Sequence, residues 1–343
     1  MRLKLGFLLG LLILLKFNNA LAAFEHYTIE DGLSQSVVFS IEQDELGFMW
    51  FATQDGLNRF DGERFEVFKA SDKNSNSLAN NYIYPLSLDN QNQLFIGTRY
   101  GGVNQLNLFN YGFSTPLLNK KRITSLLPFK HWLFVGTFDG VVYRINRGSS
   151  KIDTLVDNLK KPVYALEKID DILWIGSNGS GLTHYDLQTD TLVPTMLEDI
   201  FESESIYPSV YAIKQDTDAH VWIATQGGGA YKIDLTRRVY TNWRHDEQDF
   251  ETISSNQIRD IEFDEQGRIW FATRGGGVSI YNQQTQRFTH LKHDQYKDTI
   301  LIFGEISFEP NEDDDTAEMS FEYEVFHSPN HDIVKGTDEL NQI

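Results

Sequence analysis

Short apolar runs separated by tight polar turns recur along this chain from about residue 37 to residue 291. One phrase is written six times. It reads Phe-Met-Trp-Phe-Ala-Thr at 48–53, Gln-Leu-Phe-Ile-Gly-Thr at 93–98 and Trp-Leu-Phe-Val-Gly-Thr at 132–137. It returns as Ile-Leu-Trp-Ile-Gly-Ser at 172–177, His-Val-Trp-Ile-Ala-Thr at 220–225 and Arg-Ile-Trp-Phe-Ala-Thr at 268–273. Each run is nearly all apolar, as a strand buried on both faces should be. The aromatic anchors stand at 50, 95, 134, 174, 222 and 270, a spacing of roughly 40–50 residues typical of a propeller blade.

The first copy shows the whole unit. Val37, Val38, Phe39, Ser40 and Ile41 form one strand, and Asp44, Glu45, Leu46 and Gly47 supply a turn. Residues 49–53 are the second strand, Asp55-Gly56 turns into 57–61, and Asp61-Gly62 turns into 65–68. Four strands joined by tight turns make an antiparallel blade, so the expected fold is an all-β propeller with six recognisable blades. Small residues at 52, 97, 136, 176, 224 and 272 are expected to leave room for the neighbouring sheet, and the aromatics to fill the wedge between blades.

Residues 24–28 match the fourth-strand pattern but have no first three strands ahead of them. That predicts a seventh blade closed by both chain ends, its first three strands lying after residue 292. Residues 293–343 carry no copy of the phrase, and Glu312, Asp313, Asp314 and Asp315 make their centre acidic. Stretches 299–308 and 318–327 read as strands, and the tail as a degenerate blade, a separate hairpin appendage or a divergent end on a shortened chain. The expected division is therefore 1–22, 23–292 and 293–343.

The first of these segments is a leader. Arg2 and Lys4 precede an apolar run from 5 to 15, and Ala20, Leu21 and Ala22 offer a cleavage site. Lys16 ends the run short of the roughly 18–20 apolar residues a span needs. A signal peptide and a periplasmic location are expected, with no membrane span after cleavage. A net charge of −19 argues against nucleic acid as a partner. The absence of cysteine excludes disulfides, thiol catalysis and cysteine-based metal sites.

Asp31-Gly32-Leu33-Ser34-Gln35-Ser36, followed by the stretch from Gly47 through Trp50 and Asp55-Gly56-Leu57-Asn58-Arg59 to Gly62, resembles the two-component regulator propeller repeat family. The resemblance spans about residues 24–292. It implies an extracytoplasmic sensor propeller that binds a small molecule or glycan and signals through a histidine kinase, hybrid kinase or diguanylate cyclase. Within these residues no membrane helix, immunoglobulin-like connector or output domain is recognisable after the repeats. A receptor's sensor region, a truncated receptor and a free-standing propeller acting through a membrane signalling protein all fit.

Up-and-down blades alternate their loops between two faces, so the residue after each second strand returns to one mouth of the channel. The expected ligand ring there is Gln54, Arg99, Asn178, Gln226 and Arg274, with Gln35, Asn81 and Asn256 beside it. Amides and guanidinium groups suit a polar ligand. The alternative role for each is turn capping or pairing with a nearby acid. Nine histidines show no metal-binding spacing, and the Gly-Gly-Gly runs at 227–229 and 275–277 sit between strands as turns rather than as phosphate cradles. No cofactor and no catalytic residue is assigned. An exported glycan lyase or hydrolase is the competing reading, since sequence does not reveal carboxylates paired by folding.

Overall fold

The structure is a computed structural model describing residues 24–74, 76–194, 209–249, 251–292 and 323–326. Six four-stranded antiparallel sheets follow one another along the chain, each with its strands in sequence order. Their first strands are Val38–Gln43, Ile83–Leu88, Ile123–Phe129, Val163–Ile169, Val210–Gln215 and Ile258–Phe263. These stand innermost, and from the first blade to the sixth successive first strands touch one another. The second strands, Met49–Thr53, Gln93–Thr98, Trp132–Thr137, Ile172–Ser177, Val221–Thr225 and Ile269–Thr273, are the six copies of the phrase. The fold is an all-β propeller, with one 3-10 turn, Ile29–Asp31, among the described residues.

The phrase explains the stacking. Trp50 packs with Ile83, Leu86 and Leu94 of the second blade, and Trp222 with Ile258, Ile261 and Phe271 of the sixth. Each indole is fully buried, worth several kcal/mol by area, and spans the wedge between two sheets. The small residue two places on is required by close approach. A Cβ on Gly136 would lie 2.6 Å from the Val163 side chain of the next blade and 2.2 Å from Ser125 Oγ. A second glycine is fixed by conformation: Gly229, at φ +78, would set a Cβ 2.1 Å from the Trp243 carbonyl oxygen of the outermost strand.

The N-terminal strand Phe24–Tyr27 pairs antiparallel with Tyr323–Phe326, Phe24 opposite Phe326 and Tyr27 opposite Tyr323. The expectation that the chain's start joins its tail is met for this one pair of strands, in a sheet of two. The other strands expected of a seventh blade, the signal segment and the acidic cluster at 312–315 lie outside the described residues. Tyr27 anchors the pair on the first blade, its ring 4.7 Å from Phe60 and 5.9 Å from Phe65. No helix among the described residues is long and apolar enough to cross a membrane.

Candidate functional site

Each first strand carries a β-bulge one residue in. The ladder runs Val38 to Thr53 and then skips to Ser40 and Ala52; it runs Val163 to Ser177 and then skips to Ala165 and Gly176. The same interruption falls in the other four blades. A bulge leaves one residue out of the ladder and re-aims its side chain. The bulged positions are Phe39, Tyr84, Thr124, Tyr164, Tyr211 and Arg259, and in the second blade Pro85, which has no N–H to give the ladder, joins the bulge.

These side chains meet around the channel. Phe39 stacks on Tyr82 at 5.4 Å and leans on Tyr84 at 4.9 Å, while Tyr164 stacks on Tyr211 at 4.7 Å. Three guanidinium groups lie over these or neighbouring rings: Arg99 over Tyr82 at 4.8 Å, Arg122 over Phe138 at 3.8 Å and Arg259 over Tyr211 at 4.2 Å. Arg122 Nη2 also donates to the Tyr84 hydroxyl at 2.7 Å.

Inward of this layer lies a cavity of about 110 Å³, large enough for several waters or a small organic group. Thr124, Tyr164 and Tyr211 line it, together with Ser40, Pro85, Ala165 and Ala212 from the next level. Charge enters through Glu167, Lys214 and Asp260. Lys214 Nζ is 2.7 Å from Glu262 Oε1, and Asp260 Oδ1 accepts the N–H of Ile261 at 2.8 Å. Small hydroxyls at the inner level tie blades together: Ser40 Oγ accepts the Leu86 N–H at 3.1 Å, and Ser125 Oγ donates to the Val163 carbonyl at 3.0 Å.

The eight residues expected at the mouth divide by role. Gln54 Nε2 donates to the Tyr82 hydroxyl at 3.2 Å, joining the ring that Arg99 covers. Gln226 Oε1 accepts from the Tyr211 hydroxyl at 2.9 Å, and Asn178 Oδ1 from Ser209 Oγ at 2.8 Å. The other side chains serve turns or their own backbone. Asn81 Oδ1 accepts the Ala70 N–H at 2.7 Å, and Asn256 Oδ1 accepts the His245 N–H at 2.8 Å. Their carbonyls accept the N–H of Gly56 and of Gly227, each at 2.8 Å, and so stitch neighbouring blades. Gln35 Oε1 accepts the N–H of Ser36. Arg274 is held through its backbone, donating to the Gln257 carbonyl at 2.8 Å and accepting from Ser255 Oγ at 3.2 Å.

Sequence reasoning passed over the bulged layer and Arg122. The signal was present as an aliphatic–X–small–aliphatic frame in every first strand: Val-Phe-Ser-Ile, Ile-Tyr-Pro-Leu, Ile-Thr-Ser-Leu, Val-Tyr-Ala-Leu, Val-Tyr-Ala-Ile and Ile-Arg-Asp-Ile. An aromatic or arginine at X in five of six copies marks a position facing neither neighbouring sheet.

Comparison with known proteins fits this geometry. Residues 252–275 match the family model described as Two component regulator propeller. Those residues form a two-component regulator propeller repeat. A stretch of 69 residues is 45% identical to histidine kinase P4 of Formosa agariphila, covering 20% of this chain and 5% of the kinase. Among solved structures, the extracellular domain of the hybrid two-component system BT3049 of B. thetaiotaomicron superposes with a TM-score of 0.64 at 23% identity. That match covers 80% of this chain and 37% of the other. PorZ of Porphyromonas gingivalis, a surface component of the type-IX secretion system, gives 0.52 at 13% identity over 74% and 45% of the two chains. The chain thus spans less than half the length of each of these relatives. At such identities the structural likeness speaks for the fold alone.

Proposed function

We propose that this propeller is the exported sensor of a two-component-type signalling system, binding a small-molecule or glycan ligand at its channel and passing occupancy to a membrane signalling protein. The observation that carries it is the 45% identity over 69 residues to a histidine kinase, within a repeat family named for such regulators. The channel supports the reading. Tyrosines, hydroxyls and charged side chains line a cavity in the channel, and amides and guanidinium groups contact the rings beside it, a composition that suits a ligand held by stacking and directional hydrogen bonds. The arrangement is largely pre-formed, because each bulge is fixed by the ladder on either side of it.

The test uses the exported full chain, with N-terminal sequencing expected to place its start at or near Ala23. A thermal-shift screen against small molecules and glycans should return a ligand that binds one per chain and is recovered chemically unchanged. Thr124→Trp, which sets a ring where four other blades already carry one, should abolish that binding while the protein stays folded. A ligand recovered as a converted product would favour the lyase or hydrolase alternative, and binding indifferent to Thr124→Trp would sink the channel as the site.

A further inference from the structure

We infer that the bulged layer of the channel holds a small carboxylate, with the Arg259 guanidinium as its anchor. The inference rests on the channel being the ligand site and names the chemistry that site takes. Arg259 is 4% exposed, yet its Nη1 has no hydrogen-bond partner. A guanidinium stays charged at any accessible pH and carries five donors, so burying it with a donor unpaired is costly unless something completes it. The stack on Tyr211 serves the flat face of the group, whereas hydrogen bonds leave from its edge. A carboxylate accepts at that edge with two parallel bonds.

Position supports the same occupant. Arg259 holds in the sixth blade the register place that Thr124, Tyr164 and Tyr211 hold in blades three to five, and those three line the cavity. The stacked Tyr164 and Tyr211 rings offer an apolar surface for the body of an anion whose charged end reaches Arg259. Other charges sort by depth. Arg122 lies over Tyr84 of the same layer and Arg99 over the neighbouring Tyr82, while Glu167, Lys214 and Asp260 face the cavity further in, with Lys214 engaged by Glu262. The anion therefore sits at the arginine layer, short of the deeper acids.

Acetate is the probe. It is titrated into the full chain at constant ionic strength, with chloride making up the balance, and bound acetate is read by saturation-transfer NMR. Saturable millimolar binding is expected, weakened at least about tenfold by Arg259→Gln, the effect of losing a charge-assisted hydrogen bond. A melting curve by circular dichroism checks that the variant is folded. Should Arg259→Gln fail to fold, Tyr211→Leu, which removes the ring under the guanidinium, is expected to weaken acetate comparably. Absence of saturable binding to the unaltered chain, or equal affinity in Arg259→Gln, overturns the inference. Failure here is separable from failure of the sensor reading, because a screened ligand still lost in Thr124→Trp would leave the channel as the site and remove only the carboxylate.

Discussion

Blades four and five both place a tryptophan at the anchor position, and both bury it completely, but only one satisfies its indole N–H. In blade five a turn from Asp216 to His220 separates the first two strands. Asp216 Oδ1 accepts the N–H groups of Asp218 and His220 at 3.0 and 2.8 Å, and Oδ2 accepts Trp222 Nε1 at 2.8 Å. One carboxylate thus closes the turn and completes the core. Blades one and six repeat the clasp with Asp44 and Trp50 and with Asp264 and Trp270, again at 2.8 Å. Blade four joins its strands by Asp170 and Asp171 alone, with Asp170 at φ 50, and Trp174 Nε1 has no hydrogen-bond partner. Its indole lies instead 4.1 Å from the His184 ring.

Turn length and the anchor residue together decide whether the clasp forms. A two-residue hairpin has no side chain positioned over the indole edge, while the longer turn carries its aspartate six residues before the tryptophan. Blade two has the long turn but Phe95 at the anchor, which offers no N–H. There Asp89 closes its turn in the same way, and its second oxygen pairs with Arg147 of blade three. The same turn chemistry serves a core in three blades and an inter-blade contact in a fourth.

The comparison is broken most severely at Asp216. Asp216→Ala leaves two turn N–H groups and a buried indole without their acceptor, and about 3 kcal/mol or more of stability should be lost. Denaturant unfolding of the variant checks this, and a loss under about 1 kcal/mol would mean the clasp is incidental.

Acid should separate the two blades next. Burial holds the His184 pKa down to about 4 from an ordinary 6.5, so the folded blade binds it neutral while the unfolded chain protonates it. Its contribution is complete above pH 6.5 and is lost as pH falls from 6.5 to 4, on the order of 3 kcal/mol in all. Asp216 acts lower. Burial raises its pKa, but the Trp222 indole, the His220 N–H and the charges of His220 and Lys232 outweigh this and leave it below 3.8. Its stabilisation is therefore present above pH 3.8 and lost as pH falls through the folded value. Melting temperatures across pH 7 to 4 should drop in the unaltered chain and flatten in His184→Phe; an unchanged slope would show that His184 carries no such linkage.

The finest distinction compares the tryptophans. Trp222→Phe and Trp174→Phe lose similar volume, but only the first breaks a hydrogen bond and strips Asp216 of a donor. Trp222→Phe should cost about 1–2 kcal/mol more than Trp174→Phe, and equal costs by equilibrium unfolding would show that the bond contributes nothing net.

Much of the propeller is legible in the chain because its signals are local. Turn residues, four short strands and a small residue beside an aromatic all lie within one repeat, and six repeats force one arrangement. The phrase around Trp50 or Trp222 thus specifies both a strand and the wedge it fills. The site was less legible. Recurrence around an axis placed Gln54, Arg99, Gln226 and Asn178 beside tyrosines or hydroxyls in or just ahead of the inner strands, yet Asn81 and Asn256 turned out to cap turns, a role that the same residue types fill equally well. Phe39, Tyr84, Tyr164, Tyr211 and Arg259 reach the channel through bulges, and a bulge is a property of pairing between strands rather than of either strand's sequence. The pairing of Phe24–Tyr27 with Tyr323–Phe326 joins segments at opposite ends of the chain. The chain by itself determined the blades, through short-range turn and strand preferences; which side chains face the channel, and which indole finds a partner, were decided only when separate strands met.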